Sequence, residues 1–279
     1  MKCTRCRRPA ELKLRAHNSA FCREGFFQFF ERRVVRAIER FKMLAPGDSV
    51  LVAVSGGKDS LALWDVLASQ GYSTIGFHLA LGIGDYSAHS LEVCRQFAEE
   101  HGLRLEVADL GAKQISVPDL AWATKRPACA AYGTAKRHFF DQAALDHGCN
   151  VLATGHNLDD EAARLLGNVM HWQIDHLARQ RPVMEPTHPR FVRKIKPLFL
   201  TSELETVSWA SSPGSKMTFV KEYVSKGAHH FPRTDAPSGA GECLSCGQTS
   251  YGEICGFCSL ESQLARPRVA RTEANPDHE

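Results

Sequence analysis

The sequence lacks long apolar runs. No uninterrupted hydrophobic stretch approaches the ~20 residues that a helix needs to cross a bilayer, so no membrane partner is expected. The opening residues "MKCTRCRRPA" have none of the apolar core of a secretion signal, and the expected location is the cytoplasm. Excess charge is also lacking. Lys and Arg total 34 against 31 Asp and Glu, a net +3, which permits a nucleic-acid partner without requiring one. Cysteine is scarce in the middle: Cys94, Cys129 and Cys149 stand alone there. Cys3, Cys6 and Cys22 crowd the front, and Cys243, Cys246, Cys255 and Cys258 the back. In a reducing compartment this distribution speaks against a disulfide scaffold and for metal ligands or nucleophiles.

What is present is the pattern of an α/β protein. Hydrophobic residues make up 43% of 279, enough for a sizeable core. "FFQFFERRVVRAIERF" (26–41) carries apolar residues at helical spacing. "VLVAV" (50–54), "STIGFHLA" (73–80), "LRLEVADL" (103–110) and "CNVLATG" (149–155) read as strands. Between them lie helical patterns: one from Ser60 closed by Gly71, one capped by Ser87 and Gly102, and one beginning near Cys129. "NLDDEAARLLGNVM" reads as a fourth helix. This alternation predicts a parallel sheet with helices on both faces. Its ligand site is expected beyond the carboxyl ends of the strands, where the loops at 55–60, 80–87 and 154–160 converge. The Pro-rich stretch 172–191 reads as loop, "VRKIKPLF" as a short strand, and "SELETVSWA" as a short helix capped by Ser202.

"SGGKDS" follows a strand and opens a helix. Gly56 and Gly57 let a ligand approach the backbone. Successive N–H groups, the helix N-terminus, Lys58 and the hydroxyls of Ser55 and Ser60 make an anion site. Asp59, an acid among phosphate-binding groups, suits a bridging Mg²⁺. The spacing is not that of a Walker loop. At the back, Cys243-x2-Cys246-x8-Cys255-x2-Cys258 has the spacing of a four-thiolate zinc site.

These six residues resemble the PP-loop of the ATP pyrophosphatase superfamily. That resemblance implies AMP transfer from ATP to a carbonyl-like oxygen with pyrophosphate leaving, then displacement by a nucleophile. "FKMLAPGDSVLVAVSGGKDSLALWDVLASQGY", "LGIGDYSAHSLEV", "KRPACAAYGTAKRHFF" and "VLATGHNLDDEAARLLGN" extend the likeness to the TtuA-type tRNA 2-thiouridine synthetases, relatives of Ncs6. The resemblance implies an ATP-dependent sulfurtransferase of HUP-like fold with zinc modules at both ends. It implies that Gly155, His156, Asn157 and Asp160 complete the ATP and Mg²⁺ site, and that Lys136 and Arg137 face the phosphates or the activated substrate. Asp159 and Glu161 could join the metal from the same helix start, or simply complement the helix dipole. The family's front zinc site has a His three residues after the last cysteine. Here that position is Gly25, so the expected ligands are Cys3, Cys6 and Cys22, with His17 or a water as the fourth.

The chain departs from the family where a Cys-x-x-Cys and a later cysteine hold a [4Fe–4S] cluster. The motif here is "CAAY", with Tyr132 in place of the second cysteine. No cysteine lies between Cys149 and Cys243, and the third slot falls near "SSPGS" at Ser212. A [4Fe–4S] cluster is therefore not expected. Cys94 and Cys149 read as core residues. Cys129, near a helix start and close to Lys125, Arg126, Lys136 and Arg137, is left as a candidate thiolate that accepts a persulfide. The expected catalytic set is Cys129, Asp59, Lys58 and Lys136.

The expected organisation is a zinc module at 1–25 and a PP-loop domain at 26–240, with a leading helix at 26–48 and a shortened, irregular part at 172–240. A zinc ribbon at 241–260 and a flexible tail at 261–279 follow. Partners are a sulfur donor (a persulfide or a sulfur-carrier protein), an acceptor and, as an option, a second copy in a homodimer. The arginines and lysines of residues 1–42, among them Arg5, Arg7, Arg8, Lys13, Arg15, Arg23, Arg32, Arg33, Arg36 and Arg40, favour tRNA as acceptor. The shortened region after 197 favours a small molecule, such as a nucleobase or natural-product precursor. A non-catalytic ATP-binding partner of a thiolation system is the remaining alternative.

Overall fold

The computed structural model describes residues 1–80, 84–111, 128–207, 241–250 and 252–264. At its centre is a six-stranded sheet in the order β5-β4-β3-β6-β8-β7. Its strands are β3 (Ser49–Ala53), β4 (Ser73–Ala80), β5 (Leu105–Asp109), β6 (Val151–Thr154), β7 (Val183–Met184) and β8 (Arg193–Ile195). Five run parallel and β7 is antiparallel at the edge. β3 and β6 are neighbours, yet the chain leaves β3 for β4 on one side and reaches β6 on the other. That reversal opens a crevice where loops leave the sheet in divergent directions. β3 reads as a continuous apolar run because it is covered on both faces: Val50, Leu51 and Val52 are wholly buried.

Helices cover the sheet. They are α1 (Arg23–Phe41), α2 (Lys58–Ser69), α3 (Gly84–His101), α4 (Ala128–Asp146), α5 (Leu158–Met170), α6 (Ile174–Arg179) and α7 (Glu203–Val207). α1 buries Phe26, Phe30, Val34, Ala37 and Ile38 on one stripe, while Arg32, Arg36 and Arg40 face out. Trp64 of α2 packs its six-membered ring against β4 because β4 carries Gly76 there. A Cβ on Gly76 would stand 2.4 Å from the indole. α3 starts three residues before Ser87, which is a buried residue of the helix rather than its cap. The Pro-rich stretch is not all loop, since it holds α6 and the edge strand β7. Asn157 caps α5 reciprocally with Asp160, and Ser202 and Glu205 do the same for α7. Residues 208–240 and 265–279, including the slot near Ser212 and the tail, lie outside the described residues.

Two small antiparallel hairpins flank this core. β1 (Leu12–Leu14) pairs with β2 (Ser19–Phe21), and β9 (Gly241–Glu242) with β10 (Thr249–Ser250), followed by α8 (Gly256–Leu264). α8 packs on α4 through Phe257, which stacks on His138 with ring centroids 4.4 Å apart.

Candidate active site and metal centres

The ends of β3, β4 and β6 floor a cavity of about 430 Å³, within the range of nucleotide-sized sites. Ser55, Gly57, Asp59 and Ser60 line it from the loop after β3. Gly155 and His156 line it from the loop after β6, His78 from β4, and Tyr132 and Lys136 from α4.

The loop's shape follows from its sequence. Gly56 has φ +74°, and a Cβ there would lie 2.6 Å from the Ser90 carbonyl, so α3 presses on the loop where only glycine fits. Ser90 Oγ donates to the Ser55 carbonyl at 2.8 Å. The Ser60 hydroxyl accepts the Ser55 N–H at 3.1 Å and donates to the Gly57 carbonyl at 2.9 Å. It thus stitches the loop together. Gly57 caps α2 with no side chain, which leaves the helix's first N–H groups to an anion. Gly155 brings the β6 loop against this turn: a Cβ on it would touch Ser60 N at 3.0 Å.

Lys58 points away from the cavity. Its Nζ lies 2.6 Å from Glu203 Oε1 and 3.1 Å from Asp59 Oδ2. Partial burial would lower its pKa, but the bonds to these two carboxylates outweigh that and raise it. Glu203 also accepts from Asn157 Nδ2 at 2.6 Å, and its own N–H donates to Asp159 Oδ2 at 2.7 Å. One residue of α7 therefore ties the phosphate loop to the start of α5. Sequence reasoning missed Glu203, because 145 residues separate it from Lys58.

The acids at the start of α5 have separate tasks. Asp160 caps the helix, and Asn157 accepts the N–H groups of Asp159 and Asp160. Glu161 is wholly buried, with Oε1 2.8 Å from Lys196 Nζ and Gln180 donating to its backbone carbonyl and Oε2. Of the two readings open for Glu161, metal ligand or helix-dipole partner, its burial against Lys196 removes the first. Lys136 does face the cavity, with Nζ 4.4 Å from the centroid of the Tyr132 ring. Burial holds this amine below the ordinary lysine value. Arg137 turns outward to Thr134. His156 and His78 are both held below the usual imidazole value, chiefly by burial. His78 Nδ1 lies 2.9 Å from the Val54 carbonyl and 3.5 Å from Cys94 Sγ. Burial pushes the Cys94 thiol up to about 11, as befits a core cysteine. Cys149 is likewise buried. Cys129 lies in the first turn of α4, and its side chain is outside the described residues.

Both cysteine groups converge. The Sγ atoms of Cys243, Cys246, Cys255 and Cys258 lie within 4.8 Å of one another, with Cys246 and Cys255 3.7 Å apart. A tetrahedral ion with ~2.3 Å bonds to sulfur needs edges of about 3.8 Å, so the donor set fits zinc. Cys3, Cys6 and Cys22 converge in the same way, with Cys6 and Cys22 3.4 Å apart. His17 does not join them. Its Nε2 lies 3.2 Å from Glu205 Oε1 and its ring packs edge-on against Phe29, so the expectation of a fourth ligand there is corrected.

A parallel sheet with this loop at its switch point defines a PP-loop ATP-binding protein, and the PP-loop domain model matches residues 29–211. A second model, the N-terminal LIM domain of the 2-thiouridine synthetase TtuA, matches residues 2–26. A tRNA-5-methyluridine(54) 2-sulfurtransferase of Thermus thermophilus is 41% identical, over 95% of this chain and 92% of the relative. One from Pyrococcus horikoshii is 35% identical over 93% of each. The U34-tRNA thiolase NcsA of Methanococcus maripaludis, solved with its [4Fe–4S] cluster, shares the fold with a TM-score of 0.71 at 24% identity, covering 95% of this chain and 96% of that one. The chain belongs to the TtuA family of PP-loop ATP-dependent sulfurtransferases. Among the described residues no helix is long and apolar enough to cross a membrane.

Proposed function

We propose that this sulfurtransferase acts on a tRNA uridine in the cytoplasm, adenylating its 2-oxygen and replacing it with sulfur without a [4Fe–4S] cluster. The observation that carries the cluster-free part is Tyr132. Where the family pattern has a second cysteine, this chain puts a phenol ring into the cavity against Lys136.

In this reading the loop N–H groups, Ser55 and Lys58 bind the ATP phosphates. Asp59 would hold Mg²⁺, which would supply charge neutralisation at the leaving pyrophosphate. Gly155, His156, Asn157 and Asp160 shape the opposite wall. The uridine 2-oxygen attacks the α-phosphorus and the bond to pyrophosphate breaks. Lys136, a cation in a largely buried position, offsets charge on the adenylate. Cys129 carries a persulfide from the sulfur donor. Its terminal sulfur attacks C2, and AMP leaves with the C–O electron pair. An external thiol then cleaves the S–S bond, freeing the thiolated base and leaving Cys129 in a mixed disulfide. The two cysteine groups bind zinc, which staples the chain ends. Exposed arginines of α1, among them Arg32, Arg36 and Arg40, meet tRNA phosphates. A homodimer is compatible with this scheme.

The test uses anaerobically purified full-length protein with ATP, Mg²⁺, a persulfide donor and unmodified tRNA. Mass spectrometry of the nucleosides should show 2-thiolated uridine, with AMP and pyrophosphate as co-products. Cys129→Ser should keep pyrophosphate release and lose thiolation. About four irons per chain would overturn the cluster-free reading. Thiolation of a small metabolite in place of tRNA would move the acceptor to the alternative class.

A further inference from the structure

A closed structural zinc site has four protein ligands, and the N-terminal group supplies three. Among the described residues no other Cys, His, Asp or Glu joins Cys3, Cys6 and Cys22, and His17 is turned to Glu205. Gly25 faces two of the three thiols. A Cβ on it would lie 2.8 Å from Cys3 Sγ and 3.3 Å from Cys22 Sγ. The side-chain direction of position 25 thus runs into the cluster, and this chain places only hydrogen there. The backbone around that corner is firmly held. Cys22 caps α1 by accepting the Gly25 N–H at 3.4 Å, and Cys3 N–H donates to the Arg8 carbonyl at 2.7 Å. Cys3 and Cys22 are buried whereas Cys6 is exposed, so the cluster opens to solvent along the Cys6 side. Arg8 stands at this opening, with Nε 3.3 Å from Cys6 Sγ and its far end paired with Glu24.

We propose that the N-terminal thiolate triad holds its zinc with an exchangeable fourth ligand, a small external thiol, bound on the solvent-open Cys6 side, because position 25 supplies no side-chain donor. The proposal rests on the zinc reading of this triad. In the exchange a thiol gives its proton to solvent, water leaves the metal and a zinc–sulfur bond forms, with no change of oxidation state. The soft, all-sulfur donor set favours thiolate over oxygen donors. A fourth thiolate adds negative charge, which Arg8 at the mouth offsets. The four-cysteine site at the other end has no such vacancy and serves as the internal reference.

The full-length chain is loaded with two equivalents of Co²⁺, and 2-mercaptoethanol and imidazole are titrated separately against the cobalt absorbance. The thiol should produce a saturable spectral change in one of the two ions. Gly25→His and Gly25→Cys each add a fourth side-chain donor and should abolish that change. Zinc transfer to a chromophoric chelator should be biphasic, with the fast phase slowed at least about tenfold in these variants, the scale on which even outer-shell changes act. Two bound metals with no response to thiol, a response to imidazole alone, or a response kept in both Gly25 variants would overturn the proposal. Binding of a single metal at the C-terminal cysteines would instead overturn the zinc reading of the triad.

Discussion

Lys58 Nζ lies 2.6 Å from Glu203 Oε1, so the phosphate loop's cation already has an anionic partner in the absence of nucleotide. Phosphate must replace that carboxylate for Lys58 to reach it. Glu203→Gln removes the competitor and keeps an amide oxygen to accept from Asn157. Such half-exposed ion pairs are worth ~0.2–1 kcal/mol, so ATP affinity should rise by at most about fivefold. Lys58→Ala should lower it. Isothermal titration with ATP and Mg²⁺ measures both, and unchanged or weaker binding by Glu203→Gln would assign Glu203 a supporting role at the phosphate site instead.

Lys136 governs a pH dependence. Burial lowers its pKa from the ordinary lysine value, ~10.4 in model peptides. In the proposed mechanism the charged form acts on the adenylate, so pyrophosphate release should be full below the lowered pKa and fall as pH rises through it. The alkaline limb therefore begins earlier than for an ordinary lysine. Lys136→Arg should remove the limb, because a guanidinium keeps its charge. Lys136→Met should cut turnover by about 100-fold or more, on the scale of losing one electrostatic donor at a developing charge. An alkaline limb that persists in Lys136→Arg would exclude this residue.

Glu161 and Lys196 form a pair with 0% and 6% side-chain exposure. Removing one member leaves the other charge buried without compensation. Lys196→Met should destabilise the domain by about 3–5 kcal/mol, read as a lower urea midpoint. Glu161→Gln with Lys196→Met should recover much of the loss, and full stability in the single variant would refute the pairing.

The central strands, the loop at 55–60 and the helix at 158–170 were legible because each is fixed locally. β-branched runs, glycines before a helix and a capping residue act over a few positions. His17, Glu161 and Glu203 were not legible, because their partners lie far off in the chain. His17 is within reach of Cys22 in sequence, but buried Glu205 takes its ring. Glu161 shares its first turn with Asp159 and Asp160, yet a helix separates successive residues by about 100° and turns only Glu161 toward Lys196. Ser87 looked like a cap because serine often is one, but the helix begins three residues earlier. The edge strand β7 is two residues long, too short for any periodicity to register.

Buried Glu205 links the chain's beginning to its phosphate chemistry. It receives His17 from the N-terminal module, Arg33 from α1 and both the hydroxyl and N–H of Ser202. Two residues before it on the same short helix stands Glu203, holding Lys58. The N-terminal module is thus clamped to the helix that holds the phosphate loop's cation. Loss of a metal held by Cys3, Cys6 and Cys22 would loosen Cys22 as the cap of α1, free His17 and Arg33 from Glu205, and change how tightly Lys58 is held. If the N-terminal cysteines hold zinc as proposed, its removal should therefore be felt through α7 at Lys58, as altered ATP binding before any global unfolding.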